Sequence, residues 1–151
     1  MEVNGFGLSQ MYLAFAPIIG GIGSGAIINM LSAASIVPPP QFGSYAASKA
    51  AAMSLTHSMR WDFEPAGIDV VGVYAGLIET DMAANLDLPK TAPEEVVHRA
   101  FEGIEAGLLD IAVDERSAML RKQLHSGIEK LLVASRHRAT AIRESNGGNC
   151  C

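Results

Sequence analysis

The sequence predicts an α/β fold built on a doubly wound parallel sheet, which is a sheet that carries helices on both faces. Short apolar runs of strand length alternate along the chain with longer helical segments, and crossovers of this kind impose parallel pairing. Hydrophobic residues make up 49% of the 151 residues and charged residues only 18%, as expected for strands that are buried on both faces. Active sites in such sheets collect at the carboxyl ends of the strands, so chemistry is expected just after the first two strands.

The first half of the chain alternates helices and strands between segments rich in glycine, proline and serine. Alanine-containing apolar stretches predict the helices, short apolar runs predict buried strands, and the sequence PAG at 65–67 ends the second helix. The predicted elements are a helix at 3–17, a turn at 20–25, a strand at 26–31, a loop at 32–44, a helix at 45–64, a strand at 68–75 and an irregular loop at 76–90.

The second half begins with Thr91 and Glu94, which are spaced as a capping box. This spacing predicts a helix with Thr91 as its N-cap, ended by Gly107 and followed by a short strand at 109–113. We expect this helix to place five apolar residues on one face: Val96, Val97, Ala100, Phe101 and Ile104. A last helix is predicted from apolar residues at helical spacing: Leu120, Leu124, Ile128, Leu131 and Leu132. We therefore expect one domain over residues 1–136 and a polar, disordered tail over 137–151.

Composition and charge exclude several classes of function. The net charge is −5 and no basic run is present, so a nucleic-acid partner is not expected. The apolar stretches are too short and too often broken by glycine to span a bilayer, and no secretory signal opens the chain. We therefore expect no membrane partner and a cytoplasmic location. The cysteines, Cys150 and Cys151, are adjacent, and no metal site is predicted.

The segment GSYAASKAAAMS at 43–54 places Tyr45 and Lys49 four residues apart at the start of the second helix. This spacing puts both side chains on one helix face and within reach of each other. An ammonium beside a phenol favours the phenolate, which suits a general acid/base for alcohol–carbonyl interconversion near neutral pH. Ser32 stands at the carboxyl end of the first predicted strand. Taken alone, the Tyr–Lys spacing also fits an ordinary exposed pair.

Several motifs in order along the chain resemble the short-chain dehydrogenase/reductase family. The resemblance covers about residues 3–114 and implies a partial Rossmann-like sheet in the order helix–strand–helix–strand–helix–strand–helix. The motifs that carry it are EVNGFG (2–7), IINMLSAAS (27–35), SYAASKAA (44–51), GIDVVGVYAGLIETDM (67–82) and PEEVVHRAFEGIEAGLLDIAVD (93–114).

The resemblance implies an NAD(P)-dependent oxidoreductase that interconverts an alcohol and a carbonyl of a small-molecule substrate by hydride transfer. It implies that Tyr45 exchanges the proton and that Lys49 favours the phenolate and binds the nicotinamide ribose. Ser32 is then a hydrogen-bond donor to the carbonyl oxygen, and Asn4 holds a water that links Lys49 to solvent. The family also implies a homo-oligomer formed through the helices that carry Asn4 and Tyr45.

The resemblance further implies which residues contact NAD or NADP. Besides Tyr45 and Lys49, these are Gly76, Ile78 and Thr80, which follow the second strand. Ala75 occupies the position of the family's usual proline, so the loop loses a fixed φ and we expect looser holding of the nicotinamide.

The Gly-rich turn that seats a pyrophosphate between a first strand and a helix has no match in this sequence. The formal match, GIGSGA at 21–26, follows a helix and leads into a strand, which is the reverse of the required context. The N-terminal half of the sheet, with nearly all adenine and pyrophosphate contacts, is therefore expected to lie outside the chain.

Two hypotheses remain from the sequence. Either the chain is the catalytic half of a longer oxidoreductase, or it is an inactive fragment that only dimerises or interacts. A hydrolase triad of Ser32, His57 and Asp81 is disfavoured because no G-x-S-x-G elbow surrounds the serine. Epimerases and dehydratases also use Tyr–Lys–Ser chemistry, but the short segment between Thr80 and Thr91 favours a simple oxidoreductase.

Overall fold

The structure is a computed structural model and describes residues 1–124 and Gly127. Three parallel strands form one sheet in the order β1-β2-β3, with helices between them. The strands and helices are α1 (Leu8–Ile19), β1 (Gly25–Met30), α2 (Gly43–Phe63), β2 (Ile68–Tyr74), α3 (Pro93–Glu105), β3 (Asp110–Ala112) and α4 (Glu115–Leu124). A π-helical segment, Glu2–Gly7, leads directly into α1. The predicted α/β class, the parallel pairing and the partial sheet are confirmed.

The register of the sheet brings the ends of β1 and β2 to one edge. Gly25 pairs with Ile68 and Met30 with Val73, so the two strands run side by side over their whole length. The pairing continues past β1 because the Leu31 N–H donates to the Val73 carbonyl at 2.8 Å. Ser32 and Ala75, which come next along each strand, therefore lie at the same carboxyl edge.

Helices cover both faces of β2, as a doubly wound sheet requires. Ile68 and Val70 pack against α2 and α1 in a cluster with Met59 and Phe63. On the other face, side chains of β2 and β3 pack against α3, and this cluster includes Val71, Val73, Ala75, Val96, Ala100, Ile111 and Val113. The alternation of side chains along the strand produces the two faces.

Strand β1 has only one strand beside it among the described residues. Ile27 and Asn29 face α1 and α2, whereas Ile28 and Met30 point to the opposite face and are 42% and 45% exposed. Large apolar side chains at such positions are usually covered by another element. This face and edge of β1 are therefore open in the described part of the chain.

The predicted turns between elements are confirmed, including the glycine-rich one. Residues 20–24 form the turn between α1 and β1, so GIGSGA is not a phosphate-binding loop. Gly67 adopts φ of +68° at the end of the short 3-10 helix Glu64–Ala66, where a left-handed residue is needed before β2.

The prediction that Thr91 caps α3 is wrong. The N-cap is Ala92, and no side chain caps the helix. Pro93 at the first helical position holds the preceding residue in an extended conformation. Thr91 instead uses its backbone in a bridge to the loop after β2, donating to Leu77 O at 2.8 Å and accepting from Glu79 N at 2.9 Å.

The predicted apolar face of α3 is only partly correct. Val96 and Ala100 are buried, but Val97 and Phe101 are more than half exposed. Each of these two residues directly follows a buried residue and so lies about 100° around the helix from it. In the last helix, Leu120 is buried, while Ile128, Leu131, Leu132 and the predicted tail at 137–151 lie outside the described residues. No helix among those described is both long and apolar enough to cross a membrane.

Candidate active site

Ser32 lies at the carboxyl end of β1 and is buried. Its backbone is extended at the start of a short 3-10 helix, and its Oγ accepts a hydrogen bond from Ala34 N at 3.1 Å. A hydroxyl has one proton to donate besides its two lone pairs. No acceptor within the described ranges takes the Ser32 proton, so it remains available to an oxygen that enters at this edge.

Lys49 reaches the same end of β1 from helix α2. Its ammonium donates to the Met30 carbonyl at 2.9 Å, two residues before Ser32. Burial disfavours the charged form and lowers the pKa of Lys49. No carboxylate lies within ion-pairing distance of Lys49 in the part of the chain that the structure describes. The Lys49 ammonium therefore lies at the carboxyl edge of the sheet with N–H donors that no described carboxylate accepts.

Tyr45 lies one helical turn before Lys49, in the first turn of α2. Helix geometry places the two side chains on one face, and Tyr45 is only partly exposed. The helix begins at Gly43 after a loop rich in proline, and Phe42 is its N-cap. Tyr45 and Lys49 therefore share the face of α2 from which the Lys49 ammonium reaches the end of β1.

Asn4 is connected to α2 through Ser48, a residue that sequence reasoning missed. The Asn4 amide donates to Ser48 Oγ at 3.1 Å, and Ser48 Oγ donates to the Tyr45 carbonyl at 2.7 Å. Ser48 is buried and immediately precedes Lys49. The signal in the sequence was a serine within an alanine-rich stretch of helix, where a buried polar side chain needs a partner.

The loop at 75–80 forms the other wall of this edge. Ala33 N donates to the Ala75 carbonyl at 2.8 Å, which joins the loop to the segment after Ser32. Gly76 and Ile78 are partly buried, whereas Thr80 is exposed and its hydroxyl donates to Ile78 O at 3.3 Å. Gly76 N donates to the carboxylate of Asp114 at 2.6 Å, a contact between distant segments that sequence reasoning did not find.

A second polar cluster lies between α2 and the start of β3. Arg60 makes two hydrogen bonds to the Asp110 carboxylate, and Arg121 lies 3.5 Å from it. Burial and the Asp110 charge raise the pKa of Tyr74 to about 12. His57 contacts Tyr74 at 3.3 Å, so it belongs to this cluster and not to a hydrolase triad with Ser32. Within residues 1–124, no three acidic, histidine or cysteine side chains are grouped as a metal site.

Comparison with known proteins identifies the family to which this chain belongs. The family model described as short chain dehydrogenase matches residues 1–91, which is more than half of the chain. The chain therefore belongs to the short-chain dehydrogenase family.

Individual relatives agree with this assignment. The 2-(R)-hydroxypropyl-CoM dehydrogenase of Xanthobacter autotrophicus is 37% identical over 91 residues, which cover 60% of this chain and 36% of that protein. A short-chain dehydrogenase from Burkholderia cenocepacia in complex with NADP has a TM-score of 0.81 and 34% identity, covering 87% of this chain and 55% of that one. A short-chain dehydrogenase from Sphingobium yanoikuyae in complex with NADPH has a TM-score of 0.72 and 25% identity, covering 85% and 52%.

The chain thus spans about half the length of these solved relatives and about a third of the curated one.

Proposed function

We propose that this chain is the catalytic half of an NAD(P)-dependent oxidoreductase that interconverts an alcohol and a carbonyl in a small-molecule substrate. The observation that carries the proposal is the convergence of two elements on one sheet edge. The Lys49 ammonium of α2 donates a hydrogen bond to the Met30 carbonyl at the end of β1, two residues before the buried Ser32. Parallel sheets bind ligands outside this edge.

The residues at this edge have the donors that a nicotinamide ribose and a substrate oxygen require. Lys49 has three N–H donors, of which one is used by Met30. Gly76, Ile78 and Thr80 offer backbone and hydroxyl groups along the facing loop. The nicotinamide ring, when bound, supplies or accepts the hydride. The cofactors NADP and NADPH in the solved relatives support assigning NAD or NADP to this chain, without deciding between them.

The resemblance to the family and the position of each group support these catalytic roles. Tyr45 gives its phenolic proton to the substrate oxygen as that oxygen gains negative charge, and takes it back in the reverse direction. The Lys49 ammonium, one turn away and without a carboxylate partner among the described residues, favours the phenolate that remains. Ser32 donates its hydroxyl proton to the same substrate oxygen and stabilises the charge that develops there.

Asn4 acts from the segment before α1, beside the turn of α2 that follows Tyr45. Its amide is held against Ser48, which fixes the side chain beside the residue that precedes Lys49. We propose that Asn4 binds a water molecule that returns protons from solvent to Lys49. A cytoplasmic location is proposed with this function.

A hydride-transfer assay tests this function. The protein is incubated with NADH or NADPH deuterated at nicotinamide C4 and with a panel of ketones, and the alcohols are analysed by mass spectrometry. We expect deuterated alcohol from the wild-type protein. We expect a loss of about 10²–10³-fold in rate for Ser32→Ala, with Ser54→Ala, an exposed serine on α2, as the matched control. A folded wild-type protein that transfers no deuterium would overturn catalysis by this chain on its own and favour the second candidate function below.

A second candidate function, an interaction fragment, is favoured by the exposed apolar side chains in and around α1. Those more than 40% exposed are Met1, Val3, Phe6, Met11, Leu13, Phe15, Ile18 and Ile22. A helix that is apolar nearly all round belongs inside a larger assembly, and we propose a second copy of this chain, packed through α1 and α2, as its cover.

Light scattering distinguishes this association from a monomer. We expect a dimer for the wild-type protein and a monomer for Leu13→Glu. Phe101→Glu, at an exposed apolar position on α3, is the control and should remain dimeric. A wild-type monomer, or equal masses for all three proteins, would rule out α1 as the interface.

A further inference from the structure

Asp114 joins two segments that are distant in the sequence. It follows β3 and precedes α4, and its carboxylate accepts three hydrogen bonds. Oδ1 accepts from Ser117 N at 2.8 Å, while Oδ2 accepts from Ser117 Oγ at 2.9 Å and from Gly76 N at 2.6 Å. One side chain therefore holds both the start of α4 and the loop after β2.

Gly76 is adapted to this contact. A Cβ added at residue 76 would lie 3.2 Å from Asp114 Oδ1 and 3.4 Å from Cγ, so the carboxylate packs directly against the glycine backbone. The neighbouring residue, Ala75, is held from the other side because its carbonyl accepts from Ala33 N at 2.8 Å. Residues 75 and 76 are thus held on both sides where the chain leaves the sheet. These contacts restrain a backbone that Ala75, unlike a proline, does not fix through its own φ.

We propose that Asp114 is the positioning residue for the loop at 75–80 and sets where its backbone meets the nicotinamide end of the cofactor. This inference rests on the function proposed above. Asp114 touches neither the substrate nor the cofactor and acts through Gly76. The N–H···O contact to a carboxylate is short, and hydrogen bonds to ionised acceptors are about twice as strong as neutral ones.

An ordinary helix cap does not account for the whole contact. A cap at the start of α4 needs one oxygen, and Oδ1 serves Ser117 N. The second oxygen is bonded to Gly76, 38 residues earlier in the chain. Asparagine caps helices about as well as aspartate but has only one oxygen and no charge, so Asp114→Asn separates the two roles.

Amide exchange and a cofactor titration on the ¹⁵N-labelled 151-residue chain test the proposal. In Asp114→Asn we expect the Gly76 amide to exchange about tenfold faster or more, because a charge-assisted hydrogen bond is lost, while Ser117 keeps its protection. We also expect the NADPH concentration that half-saturates the shifts of Ile78 and Thr80 to rise about fivefold or more. Ser117→Ala is the control, because it removes the Oγ contact and leaves both backbone amides bonded.

The outcomes separate this inference from the function on which it rests. Unchanged Gly76 exchange in Asp114→Asn overturns it, as does faster exchange with an unchanged response of Ile78 and Thr80 to NADPH. A wild-type protein that shows no response to NADPH overturns the proposed function and this inference together. A wild-type response that Asp114→Asn retains in full overturns only this inference.

Discussion

The ammonium of Lys49 donates to the carbonyl of Met30 at 2.9 Å, which joins helix α2 to the open edge of β1. Met30 neighbours Leu31, whose N–H is bonded to β2. Because successive backbone groups of a strand point to opposite sides, the Met30 carbonyl faces away from β2. Lys49 thus satisfies an acceptor that no described strand reaches, and it does so beside Ser32.

Replacing Lys49 by methionine is expected to weaken both cofactor binding and turnover. The variant keeps the length of the side chain but removes the charge and the donors. A hydrogen bond to a charged group contributes about 1.5–3 kcal/mol, so we expect kcat/KM to fall about 10- to 100-fold. Lys122→Met, an exposed position on α4, is the control. Equal kinetics in the two variants would mean that Lys49 is an ordinary surface lysine.

Replacing Tyr45 by phenylalanine is expected to remove the proton donor and leave the fold intact. General acid/base groups contribute about 10²–10⁴-fold to the rate. Turnover should therefore fall by about 10²-fold or more, while the circular dichroism spectrum stays the same. Tyr12→Phe removes a phenol that donates to Asp62 at 2.6 Å on the exposed surface and should keep wild-type turnover. Retained turnover in Tyr45→Phe would exclude this tyrosine from the mechanism.

The stability contributed by Asp110 is expected to depend on pH. Burial opposes its charged form, but hydrogen bonds from Arg60 and the charges of Arg121 and His57 outweigh burial and hold its pKa below the usual value. A lowered carboxyl pKa stabilises the fold above the unfolded value, about 3.9, and that stability is lost as pH falls through the folded value. Asp110→Asn should therefore lower the free energy of unfolding by about 1–3 kcal/mol at pH 7.

Urea unfolding of the wild type and Asp110→Asn at a series of pH values measures this difference. The difference should shrink as the pH falls below about 4, because Asp110 then loses its charge. A difference that stays the same or grows below about pH 4 would contradict the account of Asp110.

Gly103 is expected to tolerate no larger side chain. A Cβ at this position would lie 2.6 Å from Ile111 Cδ1 and 2.7 Å from Cγ1, and Ile111 is buried in the cluster under α3. Overpacking of this kind costs about 1–3 kcal/mol, so Gly103→Ala should lower the midpoint of thermal unfolding. Gly43→Ala, where a Cβ meets nothing within 4 Å, should not. An unchanged midpoint in Gly103→Ala would show that α3 shifts freely on the sheet.

The sequence predicted the order of the elements because apolar runs and glycine–proline stops are local signals. It predicted that Ser32 and Ala75 lie at one edge of the sheet, because the residues after parallel strands meet at one side. The role given to Thr91 was wrong, because Pro93 and a bridge to the loop at 77–79 decided its backbone. The contacts Asn4–Ser48 and Gly76–Asp114 span 44 and 38 residues, and no local pattern encodes such pairs.

The most direct test of the central claim is an NMR titration of the ¹⁵N-labelled protein with NADPH and NADH. The account predicts saturable shifts at the amides of Lys49, Gly76, Ile78 and Thr80, and their loss in Lys49→Met. A folded protein whose spectrum shows no response at these four amides would contradict it and would favour the interaction fragment.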